Sequence, residues 1–393
     1  MGRHFDFVVV GRGMMGAAAA RHLAVAGASV ALVGRKEPAD WQKHDGVFAS
    51  HYDSGRITRT IDQNPDWALL AKRSIARYRA IEAESGIDFY GETGCLISGP
   101  AGGGFLDAVE AVAKHYALEA PLLDRAALRT RFPWFDLPES SAGVFEMKGA
   151  GYVDPRKLVA AQVVCLEKAG GVSVLDDALS VTDDGERASV MLKSGGMVTG
   201  GRVLVATGGF SRAPGLLPKV PALVVKARTV VLAQLSPEQA EAYRAMPSWI
   251  DESADPADHF YFLPPIVYPD GHAYLKIGGD PTEVEIEDER AIFAWFRGQG
   301  RPEATVHLTR LLAQSIPDLD PVRLASVPCV TTYTVHGYPY AGFVAGDRIA
   351  LLTGGNGAAA KSSDEIGRIG ADLVIRGKMD EPDYATDFAV HFR

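Results

Sequence analysis

Residues 8–16 read VVVGRGMMG, and the way that stretch is flanked decides the fold. Upstream, Phe5 to Val10 is an apolar run broken only by Asp6, as in a strand buried on both faces. Downstream, Met14 to Ala26 is rich in Ala, Leu and Met and closes at Gly27, which predicts a helix with a glycine stop. Ser29 to Val33 is a second apolar run. Strand, glycine turn, helix and strand within about 30 residues predict a parallel βαβ unit. Gly11, Gly13 and Gly16 have the spacing G-x-G-x-x-G. Such glycines permit a tight turn, close approach of backbone to a pyrophosphate, and close contact between helix and strand. The free N–H groups at the helix start complete a seat for anions. Gly11, Gly13, Met14, Met15 and Gly16 are therefore expected to hold a dinucleotide.

Where such a fold usually places an acidic residue against the ribose, this chain has Gly34, Arg35 and Lys36. Arg35 leaves two readings open: it binds the 2′-phosphate of NADP, or the ribose is held by backbone or by Glu37. Later glycine elements favour FAD. RVLVATGGF at 202–210 is a strand running into Thr207 and Gly208. RIALLT at 348–353 is another, followed by GGNGAAAKSSDEIG, which offers Gly355, Asn356 and Gly357 and leads into a helix with Ile366, Ile369 and Leu373 on one stripe. The N-terminus of that helix is expected to face the flavin ring and stabilise negative charge there.

Further helices are expected from Pro65 to Glu84 and from Asp154-Pro155 to Gly170, each opened by a capping residue followed by proline. The segment 222–300 is rich in aromatics and prolines, with alternating pieces such as LVVKARTVVLAQL, and predicts an antiparallel sheet. The expected fold is α/β (α+β), a discontinuous Rossmann-like FAD-binding domain interleaved with an antiparallel-sheet substrate domain. Residues 1–90, 150–220 and 322–393 form the first, and 91–149 and 221–321 the second.

The chain has 393 residues, enough for a large core, and a net charge of −9, which argues against a nucleic-acid partner. No uncharged apolar stretch reaches the roughly 18 residues of a membrane span. The N-terminus carries no leader pattern, so a cytoplasmic location is expected. Cys95, Cys165 and Cys329 are far apart, with no zinc spacing and no disulfide framework, so no metal is expected.

The motifs taken in order are GRGMMG, HYDSGRITRT, YVDPRKLVAA, ATGGF, YLKIGG, PCVTTYT and GGNGAAAKSSDEIG. Together they resemble the flavin-dependent amine oxidases of the D-amino-acid-oxidase superfamily, within them the sarcosine and N-methyltryptophan oxidase group. The resemblance covers nearly the whole chain. It implies FAD attached by a thioether from Cys329 to the flavin 8-methyl carbon. It implies that Lys276 activates oxygen, a fixed cation stabilising the superoxide formed on electron transfer. It places His51 and Arg56 near the flavin. Arg59 falls where a guanidinium pairs with a substrate carboxylate by two parallel hydrogen bonds. Tyr261 falls on the substrate side. A monomer is implied, with a small-molecule amine and O2 as reaction partners.

The chain departs from that pattern in three places. Asp280 and Thr331 stand where a histidine and a tyrosine are expected. A second carboxylate-binding lysine falls at alanines 359–360, with Lys361 one or two positions away. The reaction implied is oxidation of an amine, an N-methyl or other amino acid, to an imine, with O2 reduced to hydrogen peroxide. The alternatives are a flavin dehydrogenase serving a quinone or a partner protein, an NADP-dependent dehydrogenase, and a non-catalytic flavin-binding subunit.

Overall fold

A computed structural model describes residues 4–393; the leader-free reading of the first three residues lies outside them. Five parallel strands form the centre of one sheet, in the spatial order Val172–Val174, Val30–Val33, His4–Val10, Met197–Val205, Ile349–Thr353. Val30–Val33 and Ile349–Thr353 are buried at every position, as continuous apolar runs covered on both faces should be. The strand Met197–Val205 is long enough to serve two partners along one edge. Residues 197–200 pair with Ala188–Leu192, and residues 203–205 with Ile349–Thr353.

Helices Met14–Val25, Pro65–Ser85, Pro155–Lys168 and Ser363–Arg376 share a core with the parallel strands. Asn64 and Asp154 cap the second and third through their side chains, as their sequences predicted. Fully buried Asp364 ties the four together. It accepts from Arg21 at 2.7 Å, Arg77 at 2.5 Å and Gln162 at 2.8 Å.

The second sheet has nine strands. Val224–Gln234 pairs with Arg323–Tyr333 along its whole length on one edge and with Ala273–Gly278 on the other, and the sheet continues through Phe260–Val267. Arg323–Tyr333 pairs with Val224–Gln234 across the boundary expected at 322. The sheet also contains a parallel pair, Ser248–Asp251 beside Cys95–Pro100, because residues 91–149 insert a strand that 221–321 completes from the same direction. A three-stranded sheet of Arg56–Thr58, Gly151–Val153 and Tyr90–Gly91 lies apart from both larger sheets. Among the described residues, no helix is long and apolar enough to cross a membrane.

Candidate active site

The glycine turn is a consequence of crowding. Gly11 has φ +115°, and a Cβ there would overlap Ala206 O; a Cβ on Gly16 would overlap Gly11 O. Gly13 is different, since a Cβ there would meet only His51 Nδ1, at 3.9 Å. The backbone at Gly13 is therefore bare toward a cavity of about 370 Å³ that runs along the ends of the parallel strands. Gly13 also caps the helix Met14–Val25 without a side-chain hydrogen bond or any first-turn acid, leaving its N–H groups available.

Gly11, Gly13, Met14 and Met15 line this cavity, with Arg35, Thr207 and Gly208. His51, Arg56, Cys329, Gly355 and Gly357 line it further along. Four of the expected residues do not. Gly16 serves the turn itself. Lys36 is exposed. Asn356 has φ +48°, and its side chain accepts from Thr334 N at 3.0 Å, tying the third glycine turn to the neighbouring strand. Lys361 lies one residue behind Ala360 on the wall. Arg35 pairs with Asp45 at 2.7 Å and Asp177 at 3.1 Å, so its charge is already answered. Glu37 is turned away and held by Arg156 at 2.7 and 2.8 Å. The helix Ser363–Arg376 carries buried Asp364 and Glu365 in its own first turn. Both acids are paired with arginines, Asp364 with Arg21 and Arg77, and Glu365 with Arg77 and Arg368.

The cavity wall also carries orphans. Arg12 Nε, His51 Nδ1, Asp177 Oδ1 and Thr331 Oγ1 are buried, line the cavity and have no hydrogen-bond partner. Each such group costs about 1–3 kcal/mol unless a ligand satisfies it. Burial, and then the cations Arg12, Arg156 and Arg56, pull His51 down to about 3, so its imidazole is neutral across the physiological range. A long cleft with glycine turns, bare helix N–H groups and unpartnered polar atoms suits a dinucleotide.

At one end of the cavity a single carboxylate organises the site. Asp53 Oδ2 is shared by Lys276 Nζ, at 2.6 Å, and Arg56 Nη1, while Tyr268 Oη donates to Oδ1 at 2.9 Å. Lys276 also donates to Gly55 O at 2.8 Å. Arg56 Nη2 reaches Cys329 Sγ at 3.3 Å. Burial and then Arg56 hold Lys276 well below an ordinary lysine, with Cys329 opposing them. The Tyr261 ring lies where a Cβ of Gly278 would stand, and burial pushes its hydroxyl up to about 12.

A second carboxylate joins the other two expected residues. Asp62 Oδ2 accepts from Arg59 Nη1 at 2.7 Å and from Lys361 Nζ at 2.7 Å. Burial and then Arg59 lower Lys361 to about 8, with Asp62 resisting. Asp280, expected in the pocket, instead faces Arg301 at 3.3 Å.

Arg12, Asp53, Asp62 and Asp177 were not singled out from sequence. The stretch DSGRITRTID did carry a signal, because Asp53, Arg56, Arg59 and Asp62 recur at steps of three.

The parallel sheet, the glycine turn and the long cleft together define a dinucleotide-binding protein. The chain belongs to the FAD dependent oxidoreductase family described as DAO, which matches residues 6–373. FAD is thereby the cofactor, and the NADP reading of Arg35 is set aside. The chain is 32% identical over 148 residues to the monomeric sarcosine oxidase of Bacillus sp. (strain B-0618), covering 37% of this chain and 36% of that protein. It is 24% identical over 223 residues to the N-methyl-L-tryptophan oxidase of Yersinia pestis (strain Pestoides F), covering 56% and 58%. These alignments span less than two thirds of either relative. The open form of NikD, an unusual amino acid oxidase essential for nikkomycin biosynthesis, superposes with a TM-score of 0.77 at 21% identity, over 99% of this chain and 98% of that one.

Proposed function

We propose that the protein oxidises an amine to an imine, with O2 as the electron acceptor and hydrogen peroxide as product. The observation that carries this reading is the buried Lys276 ammonium, one carboxylate away from Arg56 at the end of the cavity. The turn Gly11 to Gly16 with Arg12 would hold the pyrophosphate of FAD. Asp177 and Arg35 would meet its adenosine half, and Thr207, Gly208, Gly355 and Gly357 the remainder. Cys329 would be the point of covalent attachment. FAD supplies, when bound, a carrier that accepts two electrons from an amine C–H and releases them to O2.

The protein's part is positioning and charge. Lys276 and Arg56 place positive charge where oxygen becomes anionic, in a site screened from water. Asp53 holds both cations in place through shared contacts. Neutral His51 offers a ring nitrogen without adding charge. Tyr261, Arg59 and Lys361 bound the substrate side.

The Asp53 contact also favours a second reading. A carboxylate 2.6 Å from Lys276 offsets its field, as would suit a dehydrogenase that serves a quinone or a partner protein. Purified yellow protein challenged with primary and secondary amines, with peroxide and dye reduction followed side by side, separates the two. Peroxide equal to amine consumed supports the oxidase. Rapid dye reduction with little peroxide rejects it in favour of the dehydrogenase.

A further inference from the structure

The amine-oxidising reading leaves open which amines are taken, and the Arg59 cluster bears on that choice. Two cations are close in the chain to residues of the cavity wall. Arg59 follows the wall residue Arg56 by three positions, and Lys361 follows the wall residue Ala360 by one. Both are already engaged by one resident carboxylate. Asp62 Oδ2 takes one donor from each at 2.7 Å, and Asp62 Oδ1 accepts from Asn64 N at 3.1 Å, which fixes the carboxylate in place. Buried Glu146 adds a second negative group. It accepts from Thr60 N at 2.7 Å and Ile61 N at 3.0 Å, and its field reaches both Arg59 and Lys361. Two cations thus face two carboxylates, and the cluster has no unmatched positive charge. Asp62 is 8% exposed and Lys361 is 3% exposed, so water does not screen the pairing. A substrate carboxylate entering here would either add a third negative charge or break a buried pair.

We propose that Asp62 is a resident carboxylate occupying the place of a substrate carboxylate, so that this site selects amines carrying no carboxylate next to the nitrogen. The proposal rests on the amine-oxidising reading, but its test is a binding measurement independent of turnover. Holoprotein is titrated with phenethylamine and, separately, with phenylacetate, which has the same ring and the opposite charge. Binding is followed in the visible flavin spectrum and by thermal shift. The wild type is expected to bind phenethylamine at least tenfold more tightly than phenylacetate. Tighter binding of phenylacetate, or no binding of the amine, overturns the proposal.

Asp62→Asn keeps the shape and removes the charge. It is expected to bind phenylacetate at least tenfold more tightly than the wild type, whereas Asp62→Glu restores the wild-type order; an unchanged phenylacetate affinity in Asp62→Asn counts against the proposal. Should that variant fail to fold, the wild-type pair of ligands still decides. The two readings fail separately. Amino acids oxidised at rates matching their decarboxylated counterparts would end the selectivity and leave the oxidase. The expected binding order with no amine reducing the holoprotein would end the oxidase and leave the selectivity.

Discussion

Replacing Lys276 with methionine removes one buried ammonium and preserves most of the side-chain volume. Asp53 retains Arg56 and the Tyr268 hydroxyl as partners, so the loop Asp53–Arg56 should hold its place. A unit charge about 5 Å from a developing anion, at an effective dielectric constant of about 20, is worth roughly 3 kcal/mol. Asp53 carries the opposite sign 2.6 Å from the ammonium and cancels part of that field. A net effect of about 1.5–3 kcal/mol corresponds to reoxidation roughly 10- to 150-fold slower. The assay is stopped-flow mixing of photoreduced holoprotein with oxygenated buffer, read as a second-order rate constant, beside anaerobic reduction by an amine. Lys276→Met should slow the first far more than the second. An oxygen rate within twofold of wild type in Lys276→Met would refute the electrostatic role.

Three further outcomes are expected. Acid precipitation of wild-type holoprotein should leave the yellow colour in the pellet, and that of Cys329→Ser should release it to the supernatant; release from wild type would show that FAD is not attached at Cys329. Gly11→Ala should abolish FAD retention, because its Cβ overlaps Ala206 O at φ +115°, whereas Gly27→Ala, with φ +90° and open space around it, should cost only about 1 kcal/mol in a urea titration. Equal behaviour of the two glycine variants would contradict the steric account. Asp364→Asn should lose about 3–5 kcal/mol, because it removes the charge shared by Arg21 and Arg77. Burial works against ionisation of Asp364, but His22, Arg21 and Arg77 outweigh it and hold its carboxyl below the usual range. A depressed carboxyl stabilises above its unfolded value near 4 and loses that contribution as pH falls toward the folded one. Wild type should therefore weaken on acidification below about pH 4 more than Asp364→Asn does, as read by denaturation midpoints.

The first βαβ unit was legible because local rules suffice there: a continuous apolar run, three glycines at fixed spacing, and a helix with a glycine stop. Lys276 and Cys329 were reached only through resemblance, since a lysine or a cysteine on an apolar strand announces nothing by itself. Asp53 and Asp62 escaped notice for a physical reason. Each completes a pair with a cation more than two hundred residues away, Lys276 or Lys361, as well as with an arginine three positions from it, Arg56 after Asp53 and Arg59 before Asp62. Sequence shows the second kind of neighbour and hides the first. The same applies to Asp177, whose place on the wall depends on Arg35 crossing to meet it. The pairing of Arg323–Tyr333 with Val224–Gln234 was not legible, because a strand entering an antiparallel sheet and a strand entering a parallel one both read as apolar runs.

The forked edge of Met197–Val205 has a consequence for biogenesis. Its partner Ile349–Thr353, and the glycine turn that follows, are made well over a hundred residues after the strand they close. Until then the cleft lacks one side, and the nascent molecule has nothing with which to enclose a flavin. The coenzyme can therefore be enclosed only after residues 349–357 have been made, and a chain interrupted before them would emerge colourless however well its first half had folded.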